Sequence, residues 1–266
     1  MKDFSSNDIM HFWKKEYSSQ LSKFSKYNPS DQFHHIANMC APGHSYYYIL
    51  NLNDFSLDFI HPNVEKVAGI RVEQATMDTL LKAALPKEIE VIVKKEKIIH
   101  EFMQYFKDND DLLSYKIIYT YRCKGPNERV QTMMIQSTAL SVSDSGIMDH
   151  AFVIHTDISH LGNVATDWVS FVSLNGKESF FNIKAHHERF DPKLANQEKA
   201  ALSSELTKRE QEIVKLMSQG LNAKAISDRL FISFHTTRTH RKNILSKTNC
   251  SNTAELIGKC LAEGVI

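Results

Sequence analysis

An α+β domain, built as an antiparallel sheet with helices on one face, followed by an all-α unit of four short helices, is the fold that this sequence predicts. Three observations carry it. Strand-like and helix-like stretches alternate over the first two hundred residues in the order two strands, helices, three strands. The last sixty residues are cut into short amphipathic pieces by capping residues. The charge is divided between the two parts: residues 206–266 hold ten Lys and Arg against five Asp and Glu, whereas the whole chain carries only +1.

The bulk properties agree with two folded domains. The chain has 266 residues, 42% of them hydrophobic and 24% charged, a balance that buries a real core. Nine glycines and six prolines exclude collagen-like and low-complexity architectures. No run of eighteen apolar residues offers a membrane span, and the first residues lack the apolar stretch of a secretory signal; the expected compartment is the cytoplasm. Cys40, Cys123, Cys250 and Cys260 show no C-x-x-C spacing, so neither a zinc site nor a disulfide framework is expected. The pairs His34-His35 and His186-His187 lack any accompanying metal motif. No cofactor and no metal are expected.

The N-terminal elements follow from periodicity. Residues 6–27 place Ile9, Phe12, Trp13, Tyr17, Leu21 and Phe24 at three- and four-residue steps and read as an amphipathic helix. Strands are expected at 45–52 and 55–61 around Asn53-Asp54. Short helical pieces run to about residue 83, and a longer helix over 87–107 presents Ile89, Ile92, Ile99, Phe102 and Phe106. Three long strands are expected at 114–123, 130–142 and 147–157, with turns at 125–127 and 143–146. Such a sheet can hold a small cavity beneath its helices. Asn175-Gly176 marks a hairpin between 168–174 and 178–183; it either extends the sheet or belongs to a connector. Residues 184–205, charged and poor in aromatics, read as a linker. The expected divisions are an N-terminal helix at 1–30, the α+β domain at 31–162, hairpin and linker at 163–204, and the helical unit at 205–266.

The C-terminal signals are sharper. Thr207-Lys208-Arg209-Glu210 has the form of a capping box, so a helix begins near Lys208 and buries Ile213, Val214, Leu216 and Met217. Gly220 stops it. Asn222 caps a second helix with Ala223, Ile226 and Leu230 inward. Ser233 caps a third over about 234–247, and Asn252 begins a fourth with Leu256, Ile257 and Cys260. Helices two and three, joined by a short turn at Ile232-Ser233, have helix-turn-helix spacing. Between Asp228 and Glu255 stand Arg229, Arg238, Arg241, Lys242 and Lys247 and no carboxylate. On a helical wheel Arg238, Thr239 and Lys242 point outward, with Arg241 at the margin, while Thr237, His240, Ile244 and Lys247-Thr248 point inward. A helix of this kind fits the major groove, where Arg and Lys read guanine N7 and O6, and Thr236 at its N-terminus can meet phosphate.

The segment from Leu206-Thr207-Lys208-Arg209-Glu210 through Gly220, Lys224, Ile226, Leu230, Ile232-Ser233, Thr236, Arg238-Thr239-His240 and Asn243-Ile244-Leu245 resembles the LuxR-type helix-turn-helix domain. The resemblance implies a sequence-specific transcription regulator whose third helix enters the major groove. Arg238, Thr239 and Lys242 match its base-reading positions. Lys224 and Thr236 match its phosphate contacts, with Arg241 and Lys247 added as further phosphate contacts. Ile226, Leu230, Ile232 and Ile244 form the core of the motif. Thr237 stands where the family has Val, Thr248 where it has Leu, and Ala225 where it has Glu.

Upstream, Tyr47–Leu52, Phe55–His61, the stretch Pro62-Asn63-Val64-Glu65-Lys66-Val67-Ala68-Gly69, and the closing His155-Thr156-Asp157-Ile158 resemble a PAS domain, with His61 where its pattern has Ser. The resemblance implies a sensory domain for a small molecule, or a module that only dimerises; the cysteine motif of flavin-linked light sensors is absent. The partners implied are double-stranded DNA as a two-fold site, a second copy of the chain, a small molecule in the PAS-like domain, and RNA polymerase; a membrane is not among them. The alternative is a PAS-based protein-interaction adaptor with secondary DNA binding. No nucleophile–base pair, P-loop or G-x-G-x-x-G occurs, so an enzyme is not expected.

Overall fold

The computed structural model describes residues 4–21, 25–41, 43–106, 112–143, 147–195 and 206–262. The chain divides into two compact units, Met1–Asn196 and Gln197–Ile266. Phe24 and Lys107 of the expected helices, most of the expected turn at 143–146, and residues 196–205 of the expected linker lie outside the described residues.

The first unit is of the α+β class that the sequence predicts. Its helices are α1 (Ser6–Glu16), α2 (Asp31–Cys40), α3 (Val64–Ala68), α4 (Met77–Lys82) and α5 (Pro86–Tyr105); its strands are β1 (Ser45–Asn51), β2 (Leu57–Ile60), β3 (Tyr115–Lys124), β4 (Val130–Val142), β5 (Met148–Asp157), β6 (Trp168–Ser173) and β7 (Phe180–Lys184). They form one antiparallel sheet in the order β2-β1-β5-β4-β3-β6-β7. The 168–183 hairpin therefore extends the sheet, through β6 on β3 from Tyr115↔Ser173 to Tyr119↔Val169.

Strand alternation decides what each face carries. The odd residues Tyr115, Ile117, Tyr119 and Tyr121 of β3, with Tyr46, Tyr48 and Leu50 of β1 and Ala151 and Val153 of β5, join the main core with α1, α4 and α5. Tyr47 and Ile154 point to the opposite face and pack with Ala37 of α2, flanked by Phe33, Phe59 and Phe152. β1 is consequently buried at all seven positions. The helix α2 is a finding that the sequence reading does not mark. Its apolar stripe is thin, Phe33 and Ala37 running on to Ala41, and it is started by Ser30, whose hydroxyl accepts from the Phe33 N–H.

Two further boundaries differ from expectation. The first helix stops at Glu16 rather than near residue 27. The helix tightens into a single 3-10 turn at Ser18–Gln20 before Leu21 becomes extended, and the serines of that turn spend their hydroxyls on backbone carbonyls, Ser18 on Asn53 and Ser19 on Lys15. The segment read as linker from residue 184 is folded through 195. Phe190 and Ala195 enter the core and Ala185 is buried, the Phe190 N–H donates to Glu101 Oε2 at 2.9 Å, and Lys97 pairs with Glu188. Charge hides this, because a single aromatic among polar neighbours does the packing.

That packing centres on Phe102. Its ring stacks on Phe171 with centroids 3.8 Å apart and meets Phe190 and Tyr115 edge-on at 5.1 Å. Phe102→Ala empties the middle of this cluster and is expected to lower the unfolding free energy by about 3–5 kcal/mol, read by urea denaturation of the full-length protein.

The second unit has four helices, α6 (Lys208–Ser218), α7 (Ala223–Leu230), α8 (Phe234–Lys247) and α9 (Thr253–Ala262), around Ile213, Val214, Ile226, Ile244, Leu256 and Cys260.

Candidate nucleic-acid interface and buried cavity

In the second unit each joint is set by a local hydrogen-bond device. Thr207 accepts from the Glu210 N–H while Glu210 reaches back to the Thr207 N–H, closing the capping box of α6. Gly220, at φ +83°, ends α6. Its N–H donates to the Met217 carbonyl and the Leu221 N–H to that of Leu216, the double closure of a left-handed helix end. Asn222 caps α7 through Ala225. Phe231 takes the left-handed conformation at φ 55° and ends α7, with the Ile232 N–H on the Ser227 carbonyl. Ser233 then caps α8 through Thr236. The turn is thus two residues between one helix end and the next cap.

This geometry fixes the faces of α8. Thr237, Ile244 and the following Thr248 are buried and His240 is half-buried, while His235, Arg238, Thr239, Lys242 and Asn243 are exposed. Arg238 and Lys242 have no polar partner among the described residues, and the Thr239 hydroxyl is turned back to the His235 carbonyl at 3.1 Å. No carboxylate lies on this outward face, since none occurs between Asp228 and Glu255.

The other expected contacts are placed differently. Lys224 is exposed and pairs with Asp228 at 3.1 Å. Thr236 shares a hydrogen bond with the Ser233 hydroxyl. Arg241 is half-buried and donates to Thr253 Oγ1 at 3.1 Å. Lys247 sits across the Glu210 carboxylate, 2.9 and 2.8 Å from its two oxygens. Of the expected core, Ile226 and Ile244 are buried, Leu230 packs on the cluster's margin, and Ile232 is half-buried beside the turn. Sequence reasoning missed Arg209, which pairs with Glu212 and donates to the Leu230 carbonyl at 2.8 Å, so α6 caps the end of α7. It also missed the Glu210–Lys247 bridge. Burial pushes the Glu210 carboxyl up, but Lys247 and the Thr207 donors outweigh it and hold the group below its ordinary range. Glu210→Ala removes the cap and the bridge together. It is expected to cost about 1–2 kcal/mol, measured as a lower midpoint in urea at pH 7.

The first unit holds a cavity of about 100 Å³ between the sheet and α1, α4 and α5. Its walls are chiefly aliphatic and aromatic, with Leu80, Ile92, Ile99 and Val153 among them. Two polar groups of side chains break them. On one side the Trp13 N–H donates to Glu96 Oε2 at 2.7 Å, and the Tyr119 hydroxyl also donates to that carboxylate. The Tyr17 hydroxyl is buried with no hydrogen-bond partner among the described residues. On the other side His155 lies between two hydroxyls, Tyr121 at 3.0 Å from Nδ1 and Tyr48 at 3.2 Å from Nε2. Burial drives its imidazole down to about 3, so the ring is neutral. One tyrosine must then accept from its single N–H and keep its own proton for another partner.

Burial raises the Glu96 carboxyl to about 7 against the pull of Trp13, Lys95 and Tyr119, and lowers the neighbouring Lys95 to about 7. Lys95 is fully buried, donates to the Thr120 carbonyl at 2.8 Å and stands 4.6 Å from the centre of the Tyr119 ring. The sequence holds a signal for Glu96, because it falls on the apolar stripe Ile89-Ile92-Glu96-Ile99-Met103.

Four short helices in which a two-residue turn presents an acid-free basic helix define a helix-turn-helix nucleic-acid-binding unit. Residues 204–259 match the family of bacterial regulatory proteins of the luxR type, and that segment is a LuxR-family helix-turn-helix domain. The chain is 40% identical over 63 residues to the monoamine regulon transcriptional regulator of Klebsiella aerogenes, which is 24% of this chain and 28% of that protein. It is 46% identical over 55 residues to the transcriptional regulatory protein LiaR of Bacillus subtilis, covering 21% and 26%. The chain thus spans little more than a quarter of these relatives. Among solved structures, the Vibrio cholerae VqmA dimer is 16% identical over 90% of this chain and 89% of that one, at a TM-score of 0.34. That fit is too loose to say more of this chain. Among the described residues no helix is long and apolar enough to cross a membrane.

The buried carboxylate gives stability a pH dependence. Below about pH 4.5, the ordinary value, Glu96 is protonated in both states. Between 4.5 and about 7 the unfolded chain releases the proton first, so the folded state loses stability as pH rises, and above 7 the loss is complete. Relative to the parent protein, Glu96→Gln should therefore gain about 1–3 kcal/mol between pH 5 and pH 8, read by urea unfolding at the two pH values.

Proposed function

We propose that the chain is a sequence-specific DNA-binding transcription regulator of the cytoplasm, in which α8 reads the major groove and the PAS-like first unit governs binding by sensing a small molecule. The observation that carries the reading is the outward face of α8, where Arg238 and Lys242 stand unpaired and no carboxylate opposes a phosphate backbone. The LuxR-family match over the same residues supports it. Arg238, Thr239 and Lys242 are assigned to base edges. Lys224, Thr236, Arg241 and Lys247 are assigned to phosphates, with Lys224 and Lys247 exchanging Asp228 and Glu210 for the backbone as they bind. The protein acts as a homodimer on a two-fold site with half-sites about one helical turn apart, and RNA polymerase is its further partner. Its role is regulatory rather than catalytic, as the names of the aligned relatives support.

The test begins with selection of a preferred duplex from a random pool by the full-length protein. On that duplex Arg238→Ala should cost about 1–3 kcal/mol and relax the preference at one base pair, and Lys224→Ala should weaken cognate and random DNA equally. Fluorescence anisotropy at fixed salt reads both. Equal losses on both DNAs for Arg238→Ala would remove its base-reading role, and a pool with no enriched sequence would favour the adaptor.

A further inference from the structure

The first unit's cavity has a definite electrostatic character. Its titratable lining groups are Glu96, His155 and the tyrosines Tyr17, Tyr48, Tyr119 and Tyr121. Burial keeps His155 neutral and pushes all four phenols up, so they too stay neutral. Among the described residues Glu96 is then the one lining group able to carry charge near pH 7, and that charge is negative. Lys95 does not line the cavity; its ammonium is spent on the Thr120 carbonyl and the Tyr119 ring. Trp13, Tyr17, Tyr48 and Tyr119 add aromatic rings to the lining. An organic acid meets repulsion on entry and finds no cation. A protonated nitrogen meets a carboxylate, aromatic rings and the Tyr17 oxygen, which is buried without a partner among the described residues.

We infer that this cavity is the binding site of a small organic base, its protonated nitrogen held by Glu96 and Tyr17 and its apolar body lying among the aromatic and aliphatic walls. The volume of about 100 Å³ sets the size. A cavity of about 150 Å³ accepts benzene, so two-thirds of that volume takes a body of about four carbon atoms. Glu96 receives Trp13 and Tyr119 on the protein side, and a carboxylate has roughly four acceptor positions, which leaves room for the ligand's N–H. This inference rests on the sensory reading of the first unit and names the chemistry that it senses.

The experiment uses three small probes of one ring: cyclobutylamine, cyclobutanol and cyclobutanecarboxylate. Each is titrated calorimetrically into the full-length protein at pH 6 and pH 8. The amine is expected to bind at least about 10-fold more tightly than the alcohol at pH 8, and the acid not at all. Its affinity should rise between pH 6 and pH 8 as Glu96 ionises through about 7. The groups facing that carboxylate are Trp13 from α1, Tyr17 just beyond it, Tyr48 from β1 and Tyr119 from β3, with Lys95 beside it on α5. Glu96→Gln keeps an acceptor for Trp13 and should abolish the preference for amine over alcohol. Tyr17→Phe should weaken the amine about 3–10-fold, and unchanged circular dichroism certifies both variants as folded.

Preferential binding of the acid, equal binding of amine and alcohol, no binding of any probe, or an amine affinity untouched by Glu96→Gln would each overturn the inference. DNA binding, followed separately by anisotropy with and without amine, distinguishes the two readings. An amine that binds without altering DNA affinity upholds the site and removes its sensory role. Sequence-specific DNA binding with an empty cavity leaves the regulator and removes the base site.

Discussion

A carboxylate taken out of water must find donors or give up its charge, and in the first unit that requirement organises everything around Glu96. The side chain lies on the apolar stripe of α5 and faces the sheet rather than solvent. Trp13 reaches it from α1, eighty-three residues earlier in the chain, and Tyr119 reaches it from β3. Together with α4, the helices α1 and α5 line the roof over the sheet's inner face, and the space that the side chains leave unfilled is the cavity. Desolvation keeps the acid only weakly ionised, so the arrangement costs stability as pH rises. A hydrocarbon at position 96 would pack without that cost, and would leave the cavity with no charge to offer.

The second unit is governed by a different economy. Its helices are eight to fourteen residues long, too short to persist in isolation. Their ends are therefore specified individually by Thr207 with Glu210, Gly220, Asn222, Phe231, Ser233 and Asn252. Arg209 and Lys247 tie the ends to neighbouring helices. The basic residues thus serve two purposes. Some, such as Arg209, are consumed in holding the unit together, and Arg238 and Lys242 remain available.

How much of this can be read in the sequence depends on whether a signal is local. Capping boxes, a Gly at a helix end and an acid-free basic run act over three or four residues, so the C-terminal helices and the faces of α8 are legible from the chain. Strand alternation is also local, and β3, β4 and β5 lie where it places them. The failures lie where distant partners decide. The stripe Phe33-Ala37-Ala41 makes a helix only because Tyr47, Phe59 and Phe152 wait to cover it. Phe190 turns a charged stretch into core only because Phe102 and Phe171 are there. Lys95 stands in a run of charges, and its burial follows from which side of α5 meets the sheet. The spent charge on Lys247 depends on Glu210, thirty-seven positions away.

One element has a mechanical meaning. α5 is a single uninterrupted helix of twenty residues, a rod of about 30 Å. It carries Glu96 and, less than two turns further on, Glu101 and Phe102, which grip Phe190. The polypeptide leaving the sheet is thereby fastened to the same rod that borders the cavity. In an interior packed as densely as a crystal, one rigid element thus joins the wall of the cavity to the anchor of the outgoing chain.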